Sequence, residues 1–467
     1  MIKLYLDWNI MSGMKNGHFP ELSTIVLNEQ KFFLPYSTSH IGDIFASIKN
    51  HSEEEQRMIN QDLDFIRKIS KNQCLFNTGE QVLINTIDPG ELLDDRIREA
   101  PLFTDFSLDS LFSSIDNDPF INSMKNMLAA MPLDSAFKAA FDNPESADMM
   151  NKMFPGLKEE PNMNGFFKSL GNMYQNLNEK EDYKFLRDSV QKIGVNSGHF
   201  NDDKDPYEVI QNAYKKLGIE PFNPDQYFDK NKNAPAWFND LTNSYITLDM
   251  HGYKADKVRV NEKESNTFKN TTEDASHTAF ASLCDIFITN DNKNFFKTQK
   301  VYDKFGVRTK VFKPQEFISY YHKYLNQKTF DDSYAAVIND LNNIENRQPL
   351  YLDNGDFFGV EKFCDYFHFN FFNKIIIPKT NNEDFYFLLS KETPSNYFIC
   401  TQHEINQLLQ LFIEKLGMDC DGKSILEGNE IQSLDFWEGR TWITNIGKIR
   451  LCIENTRFHL YFYLNNN

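Results

Sequence analysis

Four aspartates stand where a parallel sheet would present reactive groups. Asp7 ends the apolar run Met1–Leu6, and Asp291 follows the run Asp285–Thr289 directly. Asp274 opens the small-residue stretch DASHTAFASLC, and Asp43 lies one turn beyond Ser37-Thr38-Ser39, after KFFLP. Open parallel sheets bind ligands beyond the carboxyl ends of their strands, where Asp7 and Asp291 fall. Carboxylates gathered at one point repel one another unless a hard cation neutralises them, and oxygen donors suit Mg2+ or Mn2+. Such an ion lowers the pKa of a bound water and steadies charge on phosphoryl oxygens, as phosphodiester hydrolysis requires. Taken singly, each acid has an ordinary alternative, Asp274 as a helix N-cap and Asp291 as a turn residue before Asn292. Asp7, Asp43, Asp274 and Asp291 together are harder to put down to accident.

Neighbouring residues offer support. His277 lies three positions after Asp274 and His40 three before Asp43, so each imidazole shares a helix face with an acid. Each either orients a carboxylate, meets a substrate phosphate, or is a polar side chain at a seam. Asp285 is a further acid behind the ligands, and Asn9 and Thr289 brace the site. Lys293, Lys297, Lys300 and Lys304 fall on one helical face beginning beside Asp291. Such a stripe is either a solvated face or a track for nucleic-acid phosphates.

The elements that must position these groups follow from pattern. Met1–Leu6 and Lys31–Pro35 predict strands, and Ser37-Thr38-Ser39 caps a helix carrying His40 and Asp43. Ser52 with Glu55 predicts a capping box for a helix to about Lys71, and residues 74–88 a hairpin turning at Asn77-Thr78-Gly79. Residues 101–230 carry Met- and Phe-rich helical patterns broken by prolines, with Met124, Met127, Met131, Met149, Met150 and Met153 as helix core or a partner surface. Helices are expected at 236–252, 274–284 and 293–305, with strands at 285–289 and 307–312. Beyond residue 325 several apolar strand-like runs surround one helix at about 403–416.

The segment from Asp274 to Asp291, an Asp-led helix of small residues, a strand and then Thr289-Asn290-Asp291, resembles the ending of a PIN-like domain. Lys310–Phe317, with its Pro314-Gln315-Glu316-Phe317, is similar to the segment that closes such domains. Leu4-Tyr5-Leu6-Asp7-Trp8-Asn9 resembles their opening strand, and Pro35–Ile44 their Ser-capped helix carrying the second acid. That second acid is commonly Glu in the family, whereas position 43 is one methylene shorter. The resemblance is closest over 1–50 and 270–320, looser over 51–100 and 230–269, and absent elsewhere. It implies that Asp7, Asp43, Asp274 and Asp291 are the catalytic residues and hold one or two Mg2+ or Mn2+ ions. It also implies a PIN-like three-layer α/β fold with a central parallel sheet, in two parts at 1–100 and 231–324. A helical insertion at 101–230 would interrupt it, and a separate mixed α/β domain at 325–467 would follow.

The 467 residues suffice for two or three domains, and 14% aromatics argue against disorder. Lys plus Arg number 49 against 67 Asp plus Glu, a net charge of −18, so contact with nucleic acid would need a local basic patch. Cys74, Cys284, Cys364, Cys400, Cys420 and Cys452 form no C-x-x-C pair, which excludes the common zinc modules. No signal-peptide pattern or membrane-length apolar run is present, so a cytoplasmic protein is expected. The resemblance implies an endonuclease acting on RNA rather than DNA, and the architecture a regulated defence or growth-arrest effector. A protein partner or self-association would use the insertion or the last domain. The alternatives are a PIN-like scaffold or sensor with an incomplete site, or a metal-dependent phosphatase. Asp7-Trp8-Asn9 in place of D-x-D argues against an aspartyl-phosphate enzyme, and no G-x-x-x-x-G-K-[ST] is present.

Overall fold

Ile2–Leu6 (β1) is buried along its whole length, as expected of a strand covered on both faces. It leads into Trp8–Lys15 (α1), Pro20–Val26 (α2) and the short strand Phe32–Phe33 (β2), which pairs with β1 in parallel. After Tyr36–Ser37 (β3) comes Thr38–Ser47 (α3), whose cap is reciprocal: the Ser37 hydroxyl accepts from Ser39 N–H, and His40 accepts from Ser37 N–H. Ser52 caps Glu53–Ser70 (α4) by accepting from Glu55 N–H. Gln73–Asn77 (β4) and Val82–Thr86 (β5) form the expected hairpin, and Pro89–Glu99 (α5) follows.

The computed structural model describes, apart from isolated positions, residues 1–27, 31–48, 52–99, 141–158, 195–201, 204–216, 234–255, 268–343, 345–379, 385–391, 401–427 and 436–464. Most of 101–230 therefore lies outside the described residues, including Met124, Met127 and Met131. Within it, Ala147–Met153 (α6) and Pro206–Lys216 (α7) are helical. Ala236–Met250 (α8) is buried on every face and packs against Phe268–Ala281 (α9). Then come Ile286–Ile288 (β6), Asn292–Phe305 (α10) and Lys310–Phe312 (β7), with β6 and β7 parallel. Asp291 caps α10, and Gly306, at φ 65°, ends it in the left-handed conformation that costs glycine least.

One expectation is corrected here. Asp274 does not open its helix, because α9 begins at Phe268 and takes in Asn270-Thr271-Thr272. Burial of Thr271 and Glu273 outweighs the weak helix propensity of that run.

The rest of the chain comprises Pro314–Tyr320 (α11), Phe330–Asn342 (α12), Gln348–Tyr351 (β8), Phe357–His368 (β9), Phe372–Pro378 (β10), Tyr386–Ser390 (β11), Thr401–Leu416 (α13), Phe436–Thr444 (β12), Gly447–Glu454 (β13) and Arg457–Leu464 (β14). The chain is mixed α/β. It holds a four-stranded sheet ordered β2-β1-β6-β7, a seven-stranded antiparallel sheet ordered β8-β9-β10-β11-β14-β13-β12, and a three-stranded sheet ordered β3-β4-β5. Alternate residues of β14, Phe458, Leu460 and Phe462, join Phe330, Val337, Ile405 and Phe412 from the helices in one core.

Contacts divide the chain into two units, one of 5–19 and 34–313, the other of 1–4, 20–33 and 314–467. The seven-stranded sheet thus shares its unit with N-terminal segments, and the division falls before the change of pattern at 325. Two buried lysines explain this. Lys3 pairs with Glu404 at 3.1 Å, and Lys31 donates to the carbonyls of Leu325 and Gln327.

Candidate functional site

Asp7 occupies the N-cap position of α1, yet its carboxylate does not cap that helix. Oδ2 instead accepts from Thr289 Oγ1 at 2.6 Å, Asn9 Nδ2 at 2.7 Å and Asn294 Nδ2 at 3.2 Å. Asp7 N–H bonds the carbonyl of Ile288 at 2.9 Å, which fixes the ends of β1 and β6 side by side. Three donors on one oxygen hold the rotamer and leave Oδ1 without a protein donor among the described residues. Thr289 Oγ1 also accepts from Asp291 N–H, and Asn9 Oδ1 accepts from Asn290 N–H, so Asn9 and Thr289 lace the two strand ends together.

Asp291 caps α10 through Oδ1, which accepts from the N–H groups of Lys293 at 2.6 Å and Asn294 at 2.7 Å. Asp274 is half-buried in the second turn of α9, with no hydrogen-bond donor among the described residues. Its carboxyl is pushed well above the usual range, first by burial and then by the charge of Asp7, with Asp291 and Asp43 adding to it and Lys297 opposing. The four acids therefore sense one another as a group although three distant segments supply them.

Asp43 faces His277, whose Nε2 lies 2.8 Å from Oδ2. Burial raises the Asp43 carboxyl while His277 pulls it down, and burial wins. The His277 ring is raised to about 9: burial alone would lower it, but Asp43 more than compensates. Between those limits the pair is carboxylate and imidazolium. A protonated ring donates from both nitrogens, so Nδ1 gives its proton to Tyr5 Oη at 2.7 Å, and Tyr5 donates onward to Ser37 Oγ at 2.6 Å. Glu273, in the next turn of α9, pairs with Arg96 of α5 at 2.6 Å.

Several sequence expectations change. His40 is fully buried and neutral: burial holds its pKa well below normal, and Nδ1 accepts from Ser37 N–H while Nε2 donates to the Leu6 carbonyl. It fastens α3 to β1 and contacts no phosphate. Asp285 precedes β6, whereas Asp291 follows it, so Asp285 stands at the far end of the strand from the acids. The lysine stripe is solvated only in part. Lys297 is 1% exposed, paired with Asp249 of α8 at 2.9 Å and seated over Tyr245. Lys304 donates to Ser244 Oγ and lies over Tyr207. The helix period gives a shared face but not its direction, and this face turns toward α8. Lys293 and Lys300 remain half-exposed and Lys304 exposed. Tyr5, Glu273, Asn294 and Arg96 escaped the sequence reading, which had Ser37 as a cap. Only Asn294 carried a signal there, three positions after a capping Asp.

Among the described residues, Asp340, Cys364 and His368 are the group whose donor atoms all lie within 4.8 Å of one another. Lys362 lies 3.1 Å from Asp340 and already neutralises it, and His368 bonds the same carboxylate at 3.0 Å. That cluster is electrically satisfied and has no call for a cation. No three of the four aspartates bring donor atoms within 4.8 Å of one another. Their donor set is all oxygen, and Asp274 has no hydrogen-bond donor among the described residues, so by donor chemistry the residues present fit Mg2+ or Mn2+. No family model, curated protein or solved structure matches the chain. Among the described residues no helix is long and apolar enough to cross a membrane.

Proposed function

We propose that the chain is a Mg2+- or Mn2+-dependent endonuclease of PIN-like three-layer architecture, acting on RNA. The observation that carries the proposal is the half-buried Asp274, without a donor of its own and raised by the charges of Asp7, Asp291 and Asp43. A protein gains nothing from gathering unpaired carboxylates unless something cationic joins them. Asp274, Oδ1 of Asp7 and Oδ2 of Asp291 would hold the ion together with Asp43, whose Oδ2 is steadied by His277. When bound, the ion supplies an acidified water and stabilises charge on the phosphoryl group. Asn9, Thr289 and Asn294 keep Asp7 aimed, and His277 keeps Asp43 ionised and turned toward α9. The preference for RNA rests on the sequence resemblance to PIN-like domains.

The test is incubation of the purified chain with Mn2+ and end-labelled single-stranded RNA, single-stranded DNA and duplex DNA, beside Asp7→Asn and Asp274→Asn. Internal cleavage of RNA that needs Mn2+ and disappears in both variants is expected. Mn2+ binding without cleavage would favour a scaffold or sensor built on the same fold. Release of phosphate from a monoester, without internal cleavage, would favour a phosphatase.

A further inference from the structure

Arg96 presents a guanidinium beside the acids with most of its donors unused. It is 36% exposed, and Nη2 donates to Glu273 Oε1 at 2.6 Å. Among the described residues no other acceptor takes its remaining N–H groups. The guanidinium carbon lies 5.9 Å from the Phe45 ring centroid, which restricts its rotation. Its anchor is fixed in turn. Glu273 lies against Gly42, where an added Cβ would stand 2.2 Å from Oε1 and 2.6 Å from Oε2. A side chain at 42 would displace this carboxylate from its place, and Asp43 is the next residue. Glu273 is also one residue from Asp274 and one helical turn from His277. The order along this seam is therefore Arg96, Glu273, Asp43, His277.

We propose that Arg96 grips a backbone phosphate of the substrate next to the one being cleaved, held ready by Glu273 and Phe45. This assignment rests on the nuclease proposal. A planar fork of five donors can give one N–H to Glu273 and still offer a two-pronged edge to a phosphate, which lysine cannot. It also supplies a local cation against the chain's net charge of −18, which Lys297, buried against Asp249, does not provide.

The experiment compares wild type, Arg96→Ala, Arg96→Lys and Glu273→Gln. Binding of a fluorescein-labelled single-stranded RNA dodecamer is read by anisotropy in Ca2+, over a range of KCl concentrations. Mn2+ affinity is read separately by calorimetry without RNA. Losing one phosphate contact should reduce the log–log salt slope by ~0.7 in Arg96→Ala. Arg96→Lys should keep the slope and bind several-fold more weakly, while Glu273→Gln should weaken binding with the slope kept. Mn2+ affinity should stay unchanged in Arg96→Ala and Arg96→Lys. An unchanged slope and affinity in Arg96→Ala would overturn the assignment. So would equal losses of RNA and Mn2+ binding in Arg96→Lys, a variant that retains the charge, since Arg96 would then act only by shaping the acids. Wild type that neither binds nor cleaves the RNA would instead remove the nuclease proposal itself.

Discussion

Replacing Asp274 with Asn tests the acid cluster without needing a substrate. In the folded, metal-free chain the Asp274 carboxyl is raised by burial first and then by Asp7, Asp291 and Asp43. In the unfolded chain it titrates near ~3.9. Between those two values the folded state retains a proton that the unfolded state has released. Stability therefore falls as pH rises through that window, at about 1.4 kcal/mol per pH unit for one proton. Below the window Asp274 contributes no slope, and above the folded pKa its full cost is reached. Asn keeps the shape and removes the charge, so the variant loses this slope and is the more stable protein at neutral pH in EDTA. His277, raised to about 9, adds a decline of the same sign at higher pH, but it is common to both proteins and cancels in the difference. Urea melts in EDTA from about pH 4 to about pH 8 measure the two slopes. Repeated with Mn2+ at a hundred times its Kd, wild type should gain about 2.7 kcal/mol and the variant distinctly less. A variant with the wild-type slope, or less stable at every pH, would refute the reasoning. Asp274 would then be an ordinary structural acceptor, and the site would lose its centre.

Three further outcomes follow from single contacts. The His277–Asp43 pair stabilises fully below the unfolded histidine pKa of ~6.5 and is lost as pH rises through about 9. An NMR titration should find the His277 ring at that upper midpoint and His40 neutral throughout. Glu404→Gln removes the carboxylate charge that faces Lys3, 3% exposed, at 3.1 Å, and should cost about 3–5 kcal/mol in urea melts, largely restored by adding Lys3→Met. Asp291→Asn should abolish Mn2+-dependent cleavage with little change in metal-free stability, because Asn caps as well as Asp, whereas Asp291→Ala should also cost ~0.5–2 kcal/mol in thermal melts.

What the sequence disclosed was set by chain direction and hydrogen-bond chemistry, which are local. Asp7 and Asp291 were legible because each ends an apolar run, and Ser37 and Ser52 because caps need a hydroxyl at one position. What it hid was set by packing between distant segments. Arg96 and Glu273 are 177 residues apart, and no spacing rule joins them. The lysine stripe was periodic as expected, yet Lys297 faces inward because Asp249 waits for it on α8. The start of α9 was misjudged for the same reason, since burial of Thr271 and Glu273 is invisible to propensity. The two explanations weighed for Asp291 prove compatible rather than rival. Oδ1 caps α10, while Oδ2 has no protein donor among the described residues. A cap fixes one oxygen of a carboxylate and so aims the other. The same economy holds at Asp7, whose Oδ2 is held by three donors and whose Oδ1 is not. Two acids on adjacent strand ends, each with one oxygen tied and one without a protein donor among the described residues, are what the proposed cation would use.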